Sequence, residues 1–139
     1  VDEWLDATGL DSDAAVDLAG HGSMALRTAL SRPLEIARAT PDLLKFVHRR
    51  TADDDLEAML HPDNKHALSD WMWGRQSIDV LAAHPVRASV DDWLGVLKPL
   101  QPRLYSISSS PKENPNKAQV TVSAVRDKVA GLPLTGQRL

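Results

Sequence analysis

The chain reads as an α+β protein, and three observations lead there. From Pro33 to Leu97, helix-capping residues and apolar residues at helical spacing alternate with Pro and Gly breaks. After Pro102 the texture changes to β-branched and hydroxyl residues, which suit strands. Before Leu26, short segments are interrupted by glycines. A helical block flanked by pieces of antiparallel sheet is the expected architecture.

Each element has a local reason. Asp2-Glu3-Trp4-Leu5-Asp6-Ala7 reads as a helix that ends at Gly9, a residue suited to a left-handed cap. Asp13–Leu18 is expected as a short strand closed by the turn Gly20-His21-Gly22, with Met24–Leu30 following. Thr40-Pro41-Asp42 reads as cap and first turn, since Thr accepts from orphan N–H groups and Pro suits the first helical position. Leu43, Leu44, Phe46 and Val47 then form its buried face. Asp53-Asp54-Asp55 opens a second helix, a solvated start whose carboxylates favour the positive end of the dipole, and His61-Pro62 ends it. A third helix is expected from about Asn64 through Trp71 and Trp73, and a fourth from Ser77 to before Pro85. The fifth starts at Ser89 with Asp92 three residues on, and is expected to bury Val90, Trp93, Leu94 and Leu97. Two strands follow, Arg103–Ser108 and Gln119–Arg126, separated by the Pro- and Asn-rich loop from Pro111 to Lys117.

Composition narrows the function. The 139 residues suit one modest domain, and the formal net charge of −3, without a basic cluster, argues against nucleic-acid binding. There is no cysteine, hence no disulfide, thiolate metal site or thiol nucleophile. No apolar run approaches the roughly 20 residues of a membrane helix and Val1-Asp2-Glu3-Trp4 is not a signal peptide, so a cytoplasmic setting and no membrane partner are expected. The five histidines, densest at His61 and His66, lack a metal-ligand spacing, and no metal site is expected. Trp71, Trp73 and Trp93 are expected in the core, and Trp4 exposed. Both ends read as cuts through a longer sequence.

The most informative stretch is Leu100-Gln101-Pro102-Arg103-Leu104-Tyr105-Ser106-Ile107-Ser108-Ser109-Ser110-Pro111. On a strand, Arg103 and Tyr105 share a face. A guanidinium whose fork suits a pyrophosphate then stands beside a ring that can lie against a flat heterocycle. Ser106 points to the opposite face of an ideal strand and reaches a ring nitrogen only if the strand bends. The bland alternative is an ordinary strand with an exposed Arg, a half-buried Tyr and a solvated Ser.

These twelve residues resemble the Arg-x-Tyr-Ser flavin motif of the ferredoxin-NADP reductase superfamily, in the extended form of its diflavin branch: cytochrome P450 reductase, nitric oxide synthase reductase domains and the sulfite reductase flavoprotein subunit. Pro115–Val125 is similar to the next barrel strand of that family, and Leu26–Leu30 with Leu34-Glu35-Ile36 to the point where its chain leaves the flavin barrel for a helical connecting domain. The resemblance implies a partial antiparallel flavin-binding barrel with a mostly helical domain inserted: an N-terminal barrel piece over 1–33, the connecting domain over 34–97 and barrel strands over 98–139.

It also implies roles. Arg103 would bind the FAD phosphates, Tyr105 would pack on the isoalloxazine, and Ser106 would hydrogen-bond near its N5, with no catalytic residue of the protein's own. Ser108 and Ser109 would shape the strand end. Ser123, Ala124 and Val125 match a second flavin-contacting strand, where backbone groups and a small side chain approach the cofactor. Many relatives continue there toward a Tyr, whereas this chain has Arg126-Asp127. The implied protein is an NADPH-dependent flavoprotein oxidoreductase passing electrons through FAD, and FMN elsewhere, to a sulfite or nitrate reductase centre. Since no glycine-rich phosphate loop is present, the NADPH site is expected in other sequence. Expected partners are FMN- and NADPH-binding domains, an electron acceptor, and a second copy paired through open barrel edges. The rival reading is a connecting or docking scaffold that binds no flavin by itself; a degenerate flavin fold is a third.

Overall fold

A computed structural model describes residues 1–123. In chain order these form α1 (Asp2–Thr8), the hairpin β1 (Ala15–Leu18) and β2 (Gly22–Ala25), α2 (Leu26–Ser31), β3 (Leu34–Glu35), α3 (Pro41–Thr51), α4 (Asp54–Leu60), a 3₁₀ turn (Pro62–Asn64), α5 (Lys65–Met72), α6 (Ser77–Ala83), α7 (Val90–Val96) and β4 (Lys98–Pro99). The protein is α+β. Its two sheets, among the described residues, are antiparallel pairs, β1 with β2 and β3 with β4, and no closed barrel is formed.

The helix ends follow local chemistry. Gly9 caps α1 at φ 68°, the left-handed region that glycine enters without penalty, and its N–H bonds to the Leu5 carbonyl. The Thr40 side chain accepts from the Leu43 N–H at 3.1 Å, with Pro41 at the first helical position of α3. Ser89 and Asp92 close a reciprocal capping box on α7. Gln76 and Asp79 do the same for α6 with a less usual residue pair, and the Gln76 N–H donates to Asp79 Oδ2 at 2.7 Å.

Asp53, expected as a solvated start, is a junction instead. Its Oδ1 accepts from the Asp55 and Leu56 N–H groups, while Oδ2 lies 2.9 Å from His84 Nδ1 at the end of α6. Its backbone carbonyl meets His48 Nδ1 at 3.2 Å. Donation by Leu56, then by His84 and Asp55, holds the Asp53 carboxyl below the ordinary aspartate range. One side chain thereby ties α4 to α6, sequence-distant elements.

A single core runs from α1 to α7. Leu26, Leu44, Val47, Leu56, Val80 and Leu81 are buried within it, and Trp93 stands at its centre, edge-on to Trp4 at 5.1 Å and tilted against Phe46 at 4.6 Å. Trp4 is therefore buried, at 2% exposure, not open as expected. The reason is non-local: α1 packs on α6 and brings Trp4 to Trp93. Trp73, expected in the core, is 81% exposed, because α5 ends at Met72 and Trp73 lies beyond the turn that would have aimed it inward. Trp71 is half-buried, with the Arg75 guanidinium over its ring. Along α7, Trp93 is buried while Val90, Leu94 and Leu97 are half-buried. No helix among the described residues is long and apolar enough to cross a membrane.

Candidate functional site

The short pair β3–β4 positions the motif. Leu34 faces Pro99 and Glu35 faces Lys98, and the Leu100 N–H extends the pairing to the Pro33 carbonyl at 2.7 Å. Residues immediately before and immediately after the helical block are thereby held side by side. Lys98 reaches back to Asp42 of α3 at 3.1 Å. Glu35 Oε1 accepts from the Ala37 and Arg38 N–H groups at 2.8 and 3.3 Å, which turns the chain sharply after β3. The turn is fixed to the start of α6: the Ser77 N–H donates to the Ala37 carbonyl at 2.9 Å, the Ser77 hydroxyl donates to the Ile36 carbonyl, and Arg38 bridges Gln76. Between these parts and the chain leaving β4 lies a cavity of about 410 Å³ that Arg103 helps to line.

Arg103, Tyr105 and Ser106 are exposed, Tyr105 at 49%. Among the described residues none of the three makes a side-chain hydrogen bond or ion pair. The expected strand Arg103–Ser108 is absent: the segment has no regular structure up to the isolated antiparallel bridge between Ile107 and Val120. A strand requires a neighbour for its backbone groups, and among the described residues only that bridge and the Ser108 N–H bond to the Gln119 carbonyl at 2.9 Å provide one. The second expected strand, Gln119–Arg126, likewise shows only Val120 paired, and its end lies outside the described residues. Among the described residues, no pairing therefore fixes the common face that a strand would impose on Arg103 and Tyr105.

Ser109 accepts from the Gln119 N–H at 3.0 Å and donates to the Lys117 carbonyl, so it joins the two arms of the loop. Ser123 is exposed, and Ala124 and Val125 lie outside the described residues. Sequence reasoning missed Arg38 and Ser77, which line the same cavity as Arg103. Nothing in their immediate sequence marks them; the β3–β4 pairing and the contacts of the turn after β3 with the start of α6 bring Arg38 and Ser77 to this cavity. Among the described residues no group of acidic or histidine side chains could hold a metal ion.

As a donor set, the motif fits a dinucleotide. It offers one permanent cation, one open ring and one hydroxyl within four consecutive residues, none engaged elsewhere among the described residues.

Residues 2–137 match the family described as FAD binding domain, and the chain belongs to that family. It is similar to sulfite reductase [NADPH] flavoprotein alpha-components: 33% identical over 136 residues in Mannheimia succiniciproducens, 33% in Yersinia enterocolitica and 34% in Neisseria meningitidis. Each match covers 98% of this chain and 22% of the relative, so the chain spans about a fifth of the length of the curated relatives it matches.

Proposed function

We propose that the chain holds FAD for an NADPH-dependent flavoprotein reductase, with Arg103 on the phosphates, Tyr105 against the isoalloxazine and Ser106 near its N5. The observation that carries this reading is the unengaged Arg103–Ser106 donor set directly after β4, in a chain whose residues 2–137 match the FAD binding domain family. Arg103 binds and orients, since its fork donates two parallel charge-assisted hydrogen bonds. Tyr105 covers one face of the ring and excludes water from it. The Ser106 hydroxyl donates to N5 and fixes the tilt of the ring. Ser123 and Val125 add contacts to the flavin, as the resemblance implies. The chemistry FAD supplies when bound is hydride acceptance followed by release of electrons one at a time.

The partition into a barrel piece over 1–33, a connecting block over 34–97 and barrel strands over 98–139 belongs to the same proposal. The β3–β4 pair supports it, because an inserted block must begin and end at adjacent positions. The single core shared by α1 and α7 makes the first of these pieces continuous with the helical block. An NADPH-binding domain and a sulfite reductase centre as acceptor complete the proposal, supported by the relatives named as NADPH sulfite reductase flavoproteins; an FMN-binding domain, a nitrate reductase centre as the alternative acceptor and a cytoplasmic location are proposed with them.

A second reading, a connecting scaffold that binds no flavin as an isolated chain, draws on the absence of a barrel among the described residues. Absorbance of the purified chain, before and after incubation with FAD, separates the two. A stoichiometric flavin spectrum that Arg103→Ala with Tyr105→Ala abolishes supports the cofactor site. A chain that takes up no flavin supports the scaffold.

A further inference from the structure

A second cavity, of about 560 Å³, opens between α4, α5 and α6, on residues that neither the motif nor its own cavity uses. Asp55 and Met59 of α4, Trp71 of α5, and Arg75, Asp79 and His84 line it. Its volume falls within the range of small-molecule clefts, about 300 to 1,000 Å³. Met59 and Trp71, both half-buried, supply apolar wall, and the other four supply charge and hydrogen-bonding groups.

His84 is the fixed point of this wall. Its side chain is only 15% exposed, and Nδ1 lies 2.9 Å from Asp53 Oδ2. The other Asp53 oxygen is held by the Asp55 and Leu56 N–H groups, so the carboxylate accepts and Nδ1 donates. With its proton on Nδ1, the neutral ring presents a lone pair at Nε2, and Nε2 has no hydrogen-bond partner among the described residues. The charges narrow the ligand further. Arg75 already covers the Trp71 ring, 4.4 Å from its centre, and donates to the Trp71 carbonyl, so this guanidinium is engaged within the wall. Asp79 accepts from the Gln76 N–H in the cap of α6. The Asp55 carboxylate, by contrast, forms no ion pair or hydrogen bond among the described residues. Asp55 and His84 Nε2 are thus the uncommitted groups, and both accept. A ligand that satisfies them donates hydrogen bonds and carries positive charge, while Trp71 and Met59 take an apolar body.

We propose that the cavity between α4, α5 and α6 binds an organic ammonium ion with a short apolar body, its N–H groups donating to the Asp55 carboxylate and to His84 Nε2. Asp53 is the positioning residue: it fixes the tautomer and the ring of His84 without itself lining the cavity. The site shares no residue with the flavin motif, so the two readings stand or fall separately.

The test is a calorimetric titration of the chain at about pH 8, where free imidazole is neutral, with phenethylammonium, a capped lysine and phenylpropionate as probes. The expected result is saturable binding of an ammonium probe and none of phenylpropionate, which pairs a similar body with the opposite charge. Nitrogen NMR of the imidazoles should show the His84 Nε2 signal moving with the ammonium and not with the anion. Asp55→Asn should weaken the ammonium roughly 2- to 5-fold, the scale of an exposed ion pair. His84→Leu should weaken it roughly 10-fold, the scale of a hydrogen bond to a charged group. Asp53→Ser keeps a capping residue at the start of α4 but removes the partner of His84, and should move the neutral ring toward the Nε2–H tautomer while weakening the ammonium. A capped lysine that binds more tightly than phenethylammonium assigns the site to an ammonium borne by a protein, and the reverse assigns it to a free amine; both uphold the site. No binding by the unmodified chain, equal binding of ammonium and carboxylate, or a His84 signal that does not move overturns the proposal, whichever variants fold.

Discussion

The helical side of the molecule and the segment that leaves β4 contrast in nearly every physical respect. From α1 to α7 the apolar side chains close on one another around Trp93, and most helix starts carry a side-chain cap. From Leu100 to Val122 the apolar side chains stand in water: Leu104 is wholly exposed, and Ile107, Val120 and Val122 are more than half or nearly half exposed. Helices satisfy their backbones locally and need a neighbour only for one face, whereas a strand needs neighbours for its backbone as well. The helical side therefore stands complete, while the motif-bearing segment has sequence suited to strands and too few partners among the described residues to form them.

Substitutions can break this contrast. Trp93→Ala should cost about 3–5 kcal/mol, as expected for removing a large buried aromatic, whereas Leu104→Ala should change stability by less than about 0.5 kcal/mol. Urea midpoints of the two variants compare the regions directly; similar losses would mean that Leu104 is covered in solution. Leu44→Ala, in the middle of α3, should cost about 2–5 kcal/mol by the same measurement.

Smaller effects test the local devices. Gly9→Ala forces a Cβ into left-handed backbone and toward the Arg87 guanidinium, and should cost about 1–2 kcal/mol in thermal melts. Thr40→Ala removes the cap of α3 and should cost about 0.5–2 kcal/mol, with Thr40→Ser restoring most of it.

The smallest expected effect concerns pH. The folded Asp53 carboxyl titrates below its unfolded counterpart, so its contribution is fully present above the ordinary aspartate pKa and disappears as pH falls through the lowered value. Asp53→Asn should flatten the acid limb of the stability profile. Chemical melts across the acid range read this out; an unchanged acid limb would show that Asp53 contributes nothing there.

How much was legible follows from the range of each interaction. The cap at Thr40, the Ser89–Asp92 box and the turn at Gly9 depend on residues within a few positions, and reading the sequence was enough to expect them. Trp4 and Trp73 depart from expectation because burial depends on which helix lies opposite. Trp4, near the start of the chain, meets Trp93 of α7, and Trp73 falls one residue past the end of α5. The Arg-x-Tyr-Ser run and its kinship were legible, but the partners of the motif were not.

The sequence by itself determined the helix starts and stops, the α+β class and the chemical inventory at Arg103, Tyr105 and Ser106, because each rests on local backbone chemistry or on residue type. Only the tertiary structure decided that β3 and β4 pair, that Asp53 bridges to His84, and that Arg38 lines one cavity with Arg103. These juxtapositions join residues 31 to 65 positions apart: Asp53 bonded to His84, Leu34 paired with Pro99, and Arg38 and Arg103 on the wall of one cavity. They form when one core brings distant surfaces together, and no local pattern along the chain encodes which surfaces will meet.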